Sequence, residues 1–224
     1  MVHVKRYVMP RFWGLERKAE TFAITPRGSH PRNMCIPLRA VIRDILSLAG
    51  SAKEATRILH EGQILVDKKV RKDPKHGIGL MDILEIPALK KTYRVEVNSH
   101  GLVLAETTSA AKKLCRIIGK TIVRGGKIQL NLHDGRNLLA EKAPYAVGDT
   151  VQISLPDQKI EAHFALKKGA EVLVISGRNR GVRAKVTAIA PREFMMSRTA
   201  VSLESKDKKL ETLKDYVFVI KGGS

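Results

Sequence analysis

Two neighbouring stretches of the chain have the apolar spacing of amphipathic helices. In the first, apolar side chains recur every three to four residues from Leu38, directly after Pro37, and the pattern ends before Gly50. Proline favours the first helical turn and glycine the position after the last one, so these residues predict the helix boundaries. Ser51 and Glu54 match a capping box that would start a second helix. The apolar faces comprise Leu38, Val41, Ile42, Ile45 and Leu46 in the first helix and Ala55, Ile58 and Leu59 in the second.

Most of the remaining chain alternates apolar and polar positions, which is typical of short strands. The exception is residues 109–118, where we predict one short helix. Glycine-containing turns, such as Gly125-Gly126 and Asp134-Gly135, separate several of the strands. The predicted fold class is therefore α+β, with few helices. Strands are predicted at residues 63–66, 70–74 and 81–86, in several parts of 88–165, around Val172 and Val174, at 182–189 and in parts of 197–220.

The first segment, residues 1–37, is a basic arm that prolines break into short pieces. We expect it to become ordered on RNA, and a solvated, partly disordered tail is the alternative. Phe12 and Trp13 would anchor the arm, and the sequence leaves open whether Trp13 contacts RNA or packs against the next domain. The basic residues of the arm that we predict to contact RNA are Lys5, Arg6, Arg11, Arg17, Lys18, Arg27 and Arg32. The three later segments are predicted at residues 38–87, 88–165 and 166–224.

The charge of the chain indicates a polyanionic partner. The chain contains 41 Lys and Arg residues and 22 Asp and Glu residues, so its formal net charge is +19. Such an excess is typical of proteins that nucleic acid neutralises, and a membrane surface is the runner-up. No apolar run approaches the roughly 18 residues that a spanning helix needs, and the N-terminus lacks the pattern of a signal peptide. Aromatic residues are only 4% of the chain, which favours contacts with phosphates and RNA shape over contacts with bases.

A cationic face is predicted on the helix–helix–sheet unit of residues 38–87. Residues 62–73 resemble the core of the alpha-L RNA-binding domain, and Asp67, Lys69 and Arg71 match its pattern. Lys68 stands where that family usually has glycine, so the turn must accept a side chain, and Asp67 is expected to shape the turn. A solvated charged surface that binds nothing is the alternative. The face would comprise Arg39, Arg43, Lys53, Arg57, Lys68, Lys69, Arg71, Lys72 and Lys75.

Residues 168–186 resemble the KOW motif of ribosomal and transcription-elongation proteins. The most constant glycine of that motif corresponds to Gly181, and Gly177 is at the other end of the same tight turn. Glycine permits a positive φ and lets such a turn approach a partner closely. The resemblance implies an SH3-like KOW β-barrel with Arg178 and Arg180 directed at RNA. An ordinary hairpin with a solvated tip is the alternative.

The order of these segments resembles, over essentially the whole chain, the family of the fourth small-subunit ribosomal protein of the archaeal–eukaryotic type. Shorter stretches at residues 79–83, 113–116, 148–153 and 217–222 also match. The chain lacks the C-terminal extension of eukaryotic members, so we expect the archaeal type. The resemblance implies a cytoplasmic, structural constituent of the small ribosomal subunit that binds ribosomal RNA beside neighbouring ribosomal proteins. It implies no cofactor, no membrane partner and no small-molecule substrate.

The sequence does not indicate an enzyme. P-loop, GxGxxG, GxSxG and HExxH motifs are absent, and so is the Arg-Leu-Asp stretch of pseudouridine synthases, which also contain alpha-L domains. His133 with Asp134, and Asp82 with Glu85, are the only pairs that resemble acid–base groups. The two cysteines have no metal-site spacing, so we expect buried thiols and no metal. The alternative function is a KOW-containing transcription or translation regulator, which affinity for polymerase rather than ribosomes would favour.

Overall fold

Strands outnumber helices in the computed structural model, in line with the predicted mixture of α and β elements. Contacts group the chain into an N-terminal unit, residues 1–113 and 155–157, and a C-terminal unit, residues 114–154 and 158–224. The finer division into four segments stays a prediction. The residues that the structure describes are 4–140, 144–190, 198–205 and 208–222.

The arm consists of short elements, as its prolines predict. β1 (Val4–Lys5) pairs antiparallel with β2 (Phe22–Ala23), and β3 (Cys35–Pro37) leads into the first helix. Phe12 and Trp13 are buried. The arm is therefore a packed part of the N-terminal unit in this structure. Its single 3-10 turns are Arg6–Val8, Arg11–Trp13 and Arg32–Met34.

Two short helices follow, and the first ends earlier than predicted. α1 (Leu38–Ala40) continues directly into a π-helical turn (Val41–Ile45), and α2 spans Ala52–His60. The helical path ends at Ser47 and not at Gly50, because Ser47 takes a left-handed φ of 52°. The Ser51 hydroxyl accepts a hydrogen bond from the Glu54 amide at 3.2 Å, which is one half of the predicted capping box.

An antiparallel five-stranded sheet completes the N-terminal unit, in the order β5-β4-β7-β8-β9, and β6 pairs separately with β3. Ile42 and Leu59 from the helical segments are fully buried, as are Ile64 and Ile83 from the sheet region. Burial of these side chains is the main source of stability for such a unit. The strands are β4 (Leu65–Val66), β5 (Lys69–Val70), β6 (Gly77–Gly79), β7 (Ile83–Ile86), β8 (Lys91–Val97) and β9 (Leu102–Glu106), with a 3-10 turn at Pro87–Leu89.

The first sheet of the C-terminal unit has the order β12-β11-β10-β13-β14. Its strand β10 (Lys112–Ile122) occupies most of the stretch for which the sequence predicts a helix, so that prediction is wrong. Cys115 and Ile117 alternate along β10 into a core with Leu130 and Val151, and this packing overrides local helix propensity. The other strands are β11 (Ile128–Leu132), β12 (Asn137–Ala140), β13 (Thr150–Ser154) and β14 (Ile160–Phe164).

The second sheet of the C-terminal unit has the order β18-β17-β16-β15-β19, with every neighbouring pair antiparallel. Val172 and Val174 are both buried in its core, which is the shared face that their spacing predicts. The strands are β15 (Glu171–Val174), β16 (Arg183–Ile189), β17 (Ala200–Ser205), β18 (Lys208–Leu213) and β19 (Val217–Lys221), and a 3-10 turn lies at Lys214–Tyr216.

Candidate nucleic-acid interface

The hairpin between β4 and β5 carries part of the predicted cationic face. Its two turn residues, Asp67 and Lys68, have φ values of 50° and 65°, which are typical of a two-residue type I′ turn. Lys68 thus occupies a conformation that favours glycine, and its Nζ lies 2.9 Å from the Glu85 carboxylate. Lys69 and Lys72 are exposed to solvent. Lys68 is therefore engaged in an ion pair, whereas Lys69 and Lys72 are available to bind an anion.

Backbone contacts join basic residues of the arm to those of the loop after β5. The Arg27 amide donates a hydrogen bond to the Lys75 carbonyl at 2.7 Å, and Arg27 also forms a parallel bridge with His76. Burial lowers the pKa of His76, and the charge of nearby Arg71 lowers it further. Arg27, Arg71 and Lys75 therefore lie close to His76, and Lys69 and Lys72 adjoin them in the chain. We call Arg27, Lys69, Arg71, Lys72 and Lys75 the basic cluster.

Helix α2 contributes two more of the predicted cations. Lys53 is exposed, and 83% of the Arg57 side chain is exposed. Arg57 pairs with Glu61 one helical turn later at 3.2 Å. An exposed pair of this kind is worth only about 0–1 kcal/mol, so a phosphate can compete with Glu61 for the guanidinium. Both side chains are suited to contact an RNA backbone.

Asp67 acts inside the protein and not at its surface. One carboxylate oxygen accepts a hydrogen bond from the Ile83 amide at 3.0 Å, and the other lies 2.7 Å from Lys113 Nζ. Asp67 and Lys113 are both buried. These contacts join the turn to Ile83 and Lys113, and a role of Asp67 in shaping the turn stays a prediction. Sequence reasoning missed Lys113, which is only 1% exposed although lysine is almost never fully buried unless it is paired.

Asp82 completes the buried network. Its carboxylate lies 2.6 Å from Lys113 Nζ and 2.8 Å from His30 Nε2, and it accepts a hydrogen bond from the Gly79 amide at 2.8 Å. Burial alone would raise the pKa of Asp82, but Lys113 and His30 outweigh that effect and hold the pKa well below its usual range. The network thus joins the arm, through His30, to the turns before β7. We call Lys113, Asp67, Asp82 and His30 the buried charge network.

Two arginines predicted to contact RNA pair with carboxylates instead. Arg6 is buried, its Nε donates to the Glu16 carbonyl, and its guanidinium lies 3.4 Å from Asp44. The Arg43 side chain is only 12% exposed and pairs with Glu20 at 2.7 Å and Asp44 at 3.0 Å. The expectation that Arg43 lies on an exposed side of the first helix is therefore wrong, because these carboxylates draw it inward. We assign both residues to the attachment of the arm.

Arg39 and Arg43 also differ in their electrostatic surroundings. Burial lowers the pKa of the half-buried Arg39, and the nearby charge of Arg43 lowers it further. The hydrogen bond to Asp44 raises the pKa of Arg43. Arg39 keeps part of its surface in solvent and stays a candidate for RNA contact.

Most of the predicted arm cations are exposed to solvent, but the aromatic residues of the arm are exposed differently from what the sequence suggests. Trp13 is only 2% exposed, which favours the packing alternative and leaves its ring no surface for RNA. Tyr7, by contrast, is 73% exposed and Phe22 is 50% exposed, and neither is among the residues that the sequence predicts to contact RNA. The predicted arm cations that are exposed are Lys5, Arg11, Lys18, Arg27 and Arg32, and Arg17 is partly buried.

In the C-terminal unit, two glycines bracket the turn between β15 and β16. Gly177 and Gly181 have φ values of 90° and 83°, and the Gly181 amide donates to the Val174 carbonyl at 2.8 Å. A side chain at either glycine would be strained by these φ values. Arg178 is exposed and Arg180 is partly buried. This turn can therefore bring cations close to a partner.

One group of side chains in the described part of the chain has the composition of a metal site. Potential ligand atoms of Cys115, His133 and Asp134 lie within 4.8 Å of one another. The His133 Nδ1 already accepts a hydrogen bond from the Arg116 amide, and Asp134 pairs with Arg136 at 3.3 Å. His133 Nδ1 and the Asp134 carboxylate therefore already have partners within the protein. Cys115 and the other cysteine, Cys35, are both buried and form no disulfide.

The pairs that resemble acid–base groups have structural partners. Asp82 belongs to the buried charge network, and Glu85 pairs with Lys68. His133 and Asp134 bond to the main chain and to Arg136 as described above. Among the residues that the structure describes, no helix has the length and apolar character to span a membrane.

The sequence of the chain is similar to those of known proteins. A family model described as "Ribosomal family S4e" matches residues 89–160. The chain is 41% identical to the small ribosomal subunit protein eS4 of Methanococcus maripaludis, over 97% of this chain and 93% of the relative. It is also 41% identical to the protein of the same name from Methanocaldococcus jannaschii, with the same coverage.

A solved structure shares the fold. The crystal structure of the 30S ribosomal protein S4e from Thermoplasma acidophilum superposes with a TM-score of 0.73 at 32% sequence identity. The match covers 84% of this chain and 96% of the other. The two proteins are therefore similar both in fold and in amino-acid sequence.

Proposed function

The chain belongs to the S4e family of ribosomal proteins, and from this premise we propose that it is a structural constituent of the small ribosomal subunit. In this role it binds and stabilises folded ribosomal RNA and is not an enzyme. Its partners are ribosomal RNA and neighbouring ribosomal proteins, and its place is in the cytoplasmic ribosome. The relatives named above are archaeal, which supports the archaeal type.

The observation that carries this proposal is the exposed positive charge beside the β4–β5 hairpin. Lys53 on α2, Lys69 on β5 and Lys72, two residues after β5, are all exposed to solvent. Lysines on a rigid surface can neutralise phosphates and release their counterions. A chain with a net charge of +19 gains much of its affinity for a polyanion in this way.

The finer architecture is part of the same proposal. We infer that residues 38–87 form an alpha-L unit, which the two helices, the capped start of α2 and the β4–β5 turn support. We infer that residues 166–224 form a KOW unit, which the positive φ values of Gly177 and Gly181 support. Residues 1–37 are then the arm, and residues 88–165 a central β-rich domain.

A salt titration tests the role of the exposed lysines. The triple variant Lys53→Gln, Lys69→Gln, Lys72→Gln is compared with the wild type for binding to purified small-subunit ribosomal RNA between low and moderate salt. Because each lost phosphate contact removes about 0.7–0.9 from the slope of log K against log salt, three contacts should reduce it by roughly 2–3. Affinity at low salt should fall as well.

A matched variant controls for net charge alone. Lys208→Gln, Lys209→Gln and Lys221→Gln change the charge by the same amount at exposed positions far from the proposed face in sequence. This variant should keep a slope closer to that of the wild type. If the two triple variants lost the same slope, or if only the control lost it, RNA would not be held by the proposed face.

A further inference from the structure

The arm buries two of its aromatic residues and exposes two others. Phe12 and Trp13 are buried, whereas Tyr7 is 73% exposed and Phe22 is 50% exposed. An aromatic side chain usually gains free energy when it is buried, and this segment has the means to bury large rings. Val8, the chain neighbour of Tyr7, is also 69% exposed, and adjoining exposed apolar side chains are typical of a surface that a partner covers.

Tyr7 is held in position by its neighbours. The guanidinium carbon of Arg17 lies 6.0 Å from the centre of the Tyr7 ring, a cation–π distance. An Arg17 amino group also donates to the Met9 carbonyl at 3.2 Å, so the arginine itself is fixed to the main chain. Tyr7 belongs to the 3-10 turn Arg6–Val8, which the buried Arg6 anchors. The ring thus loses little freedom when a partner stacks on it.

The charge around Tyr7 favours an anionic partner. Lys5, Arg11 and Lys18 are exposed within the same short segment and outnumber its two acidic residues, of which Glu16 is exposed and Glu20 pairs with Arg43 at 2.7 Å. An apolar protein surface would cover the ring but leave these cations without counter-charges. A nucleotide offers both a flat base for the ring and a phosphate for a cation.

We propose that Tyr7 is a stacking platform for an unpaired base of RNA, with Lys5, Arg11 and Lys18 binding the flanking phosphates. The proposal rests on the proposed RNA-binding function and adds a second mode to it. The basic cluster recognises backbone charge, which paired and unpaired RNA share. Tyr7 recognises a base that is free to stack, which a continuous duplex does not offer.

Two RNA probes separate these modes, both used with the full-length protein. One is a single-stranded ten-nucleotide oligoadenylate that carries 2-aminopurine, and the other is a fully paired RNA duplex of the same length. Tyr7→Leu should bind the single strand about tenfold more weakly, because stacking on an aromatic side chain is lost, and should bind the duplex as the wild type does. The fluorescence of 2-aminopurine should be quenched by the wild type and less by the variant.

Two further variants complete the test. Tyr7→Phe keeps the ring and should keep wild-type affinity for both probes. Arg17→Gln should weaken single-strand binding by about threefold, because an exposed cation–π contact contributes about 0.5–1 kcal/mol to the placement of the ring. Since Tyr7 is exposed, Tyr7→Leu should leave the thermal unfolding midpoint unchanged, which excludes a folding defect.

The failures are distinguishable. If the wild type binds small-subunit ribosomal RNA but neither probe, only the stacking proposal is overturned, and if it binds none of the three, the proposed RNA-binding function is itself overturned. If the wild type binds both probes and Tyr7→Leu weakens neither, or weakens both equally, only the stacking proposal is overturned. If Tyr7→Leu keeps full RNA affinity but loses a ribosomal protein during reconstitution of the small subunit, the ring contacts protein and the stacking proposal is also overturned.

Discussion

Two groups of cations in the N-terminal unit consist of the same residue types but have opposite uses. Arg6, Arg43 and Lys113 are largely buried and pair with carboxylates. Lys53, Lys69 and Lys72 are exposed. A buried cation has lost its hydration and depends on its carboxylate, whereas an exposed one can exchange counterions for phosphate. Net charge therefore overstates how many groups are available to RNA.

The comparison also explains how a strongly basic chain can hold its own arm in place. The arm is attached by cations that acidic residues have already neutralised, so this part of the fold does not add to self-repulsion. The remaining cations stay outside, where RNA can neutralise them. Variants of the two groups should therefore separate stability from RNA affinity.

The largest expected effect comes from the centre of the buried charge network. Lys113→Ala leaves the carboxylates of Asp67 and Asp82 buried without their shared cation, so the free energy of unfolding should fall by about 3–5 kcal/mol. Denaturant unfolding measures this loss. The exposed neighbour Lys112 gives the control, since Lys112→Ala should change stability by less than about 0.5 kcal/mol. If Lys113→Ala and Lys112→Ala lowered the free energy of unfolding equally, the buried charge network would not stabilise the fold more than an exposed lysine does.

Arg6→Ala should have the next largest effect. The change removes hydrogen bonds from a buried guanidinium to Glu16 and Asp44, which should cost about 2 kcal/mol of unfolding free energy. The slope of RNA affinity against salt should stay as in the wild type, because Arg6 does not reach solvent. Arg11→Ala, at an exposed position of the same arm, is the comparison variant and should reduce that slope while leaving stability nearly unchanged. A reduced slope for Arg6→Ala, with unchanged stability, would contradict the division into two groups.

The pH dependence of stability gives a third, smaller test. Since Lys113 and His30 overcome the effect of burial and lower the pKa of Asp82, its folded pKa lies below the ordinary value of 3.8. Its contribution is present above that value and is lost as pH falls below it toward the folded pKa. Acid unfolding followed by circular dichroism should show this loss for the wild type and a weaker pH dependence below about 4 for Asp82→Asn. Identical acid limbs for the two proteins would argue against the lowered pKa.

The smallest effect on stability is expected at the exposed lysines. Lys69→Ala and Lys72→Ala remove side chains that lie in solvent, so each should change the free energy of unfolding by less than about 0.5 kcal/mol. Both should nevertheless weaken RNA binding. If either variant lost much stability without a change in RNA affinity, that lysine would belong with the buried cations that stabilise the fold and not with the cations that bind RNA.

Local patterns in the sequence predict the elements whose stability is local. The Ser51 cap, the turn at Asp67 and Lys68 and the glycine-bracketed turn at Gly177 all depend on residues that are neighbours in the chain. The strand at Lys112–Ile122 does not, because its inward side chains pack against a core formed by distant strands. A helix prediction from local composition fails there, since tertiary packing decides the outcome.

The roles of individual cations are equally hidden in the sequence. Lys113 is separated from Asp67 and Asp82 by 46 and 31 residues, so no local pattern reveals that the three meet. The arm gives a second example, since Trp13 is buried whereas the smaller aromatic Tyr7 is exposed. Residue type identifies candidates for RNA contact, but only the fold shows which of them keep an exposed surface.

The most direct test of the central claim is sedimentation of the protein in a gradient of cell lysate, first at low and then at high monovalent salt. A structural constituent of the small ribosomal subunit should migrate with that subunit and stay with it at high salt. Absence from ribosomal fractions at low salt would contradict the account, and migration with RNA polymerase instead would indicate a transcription regulator.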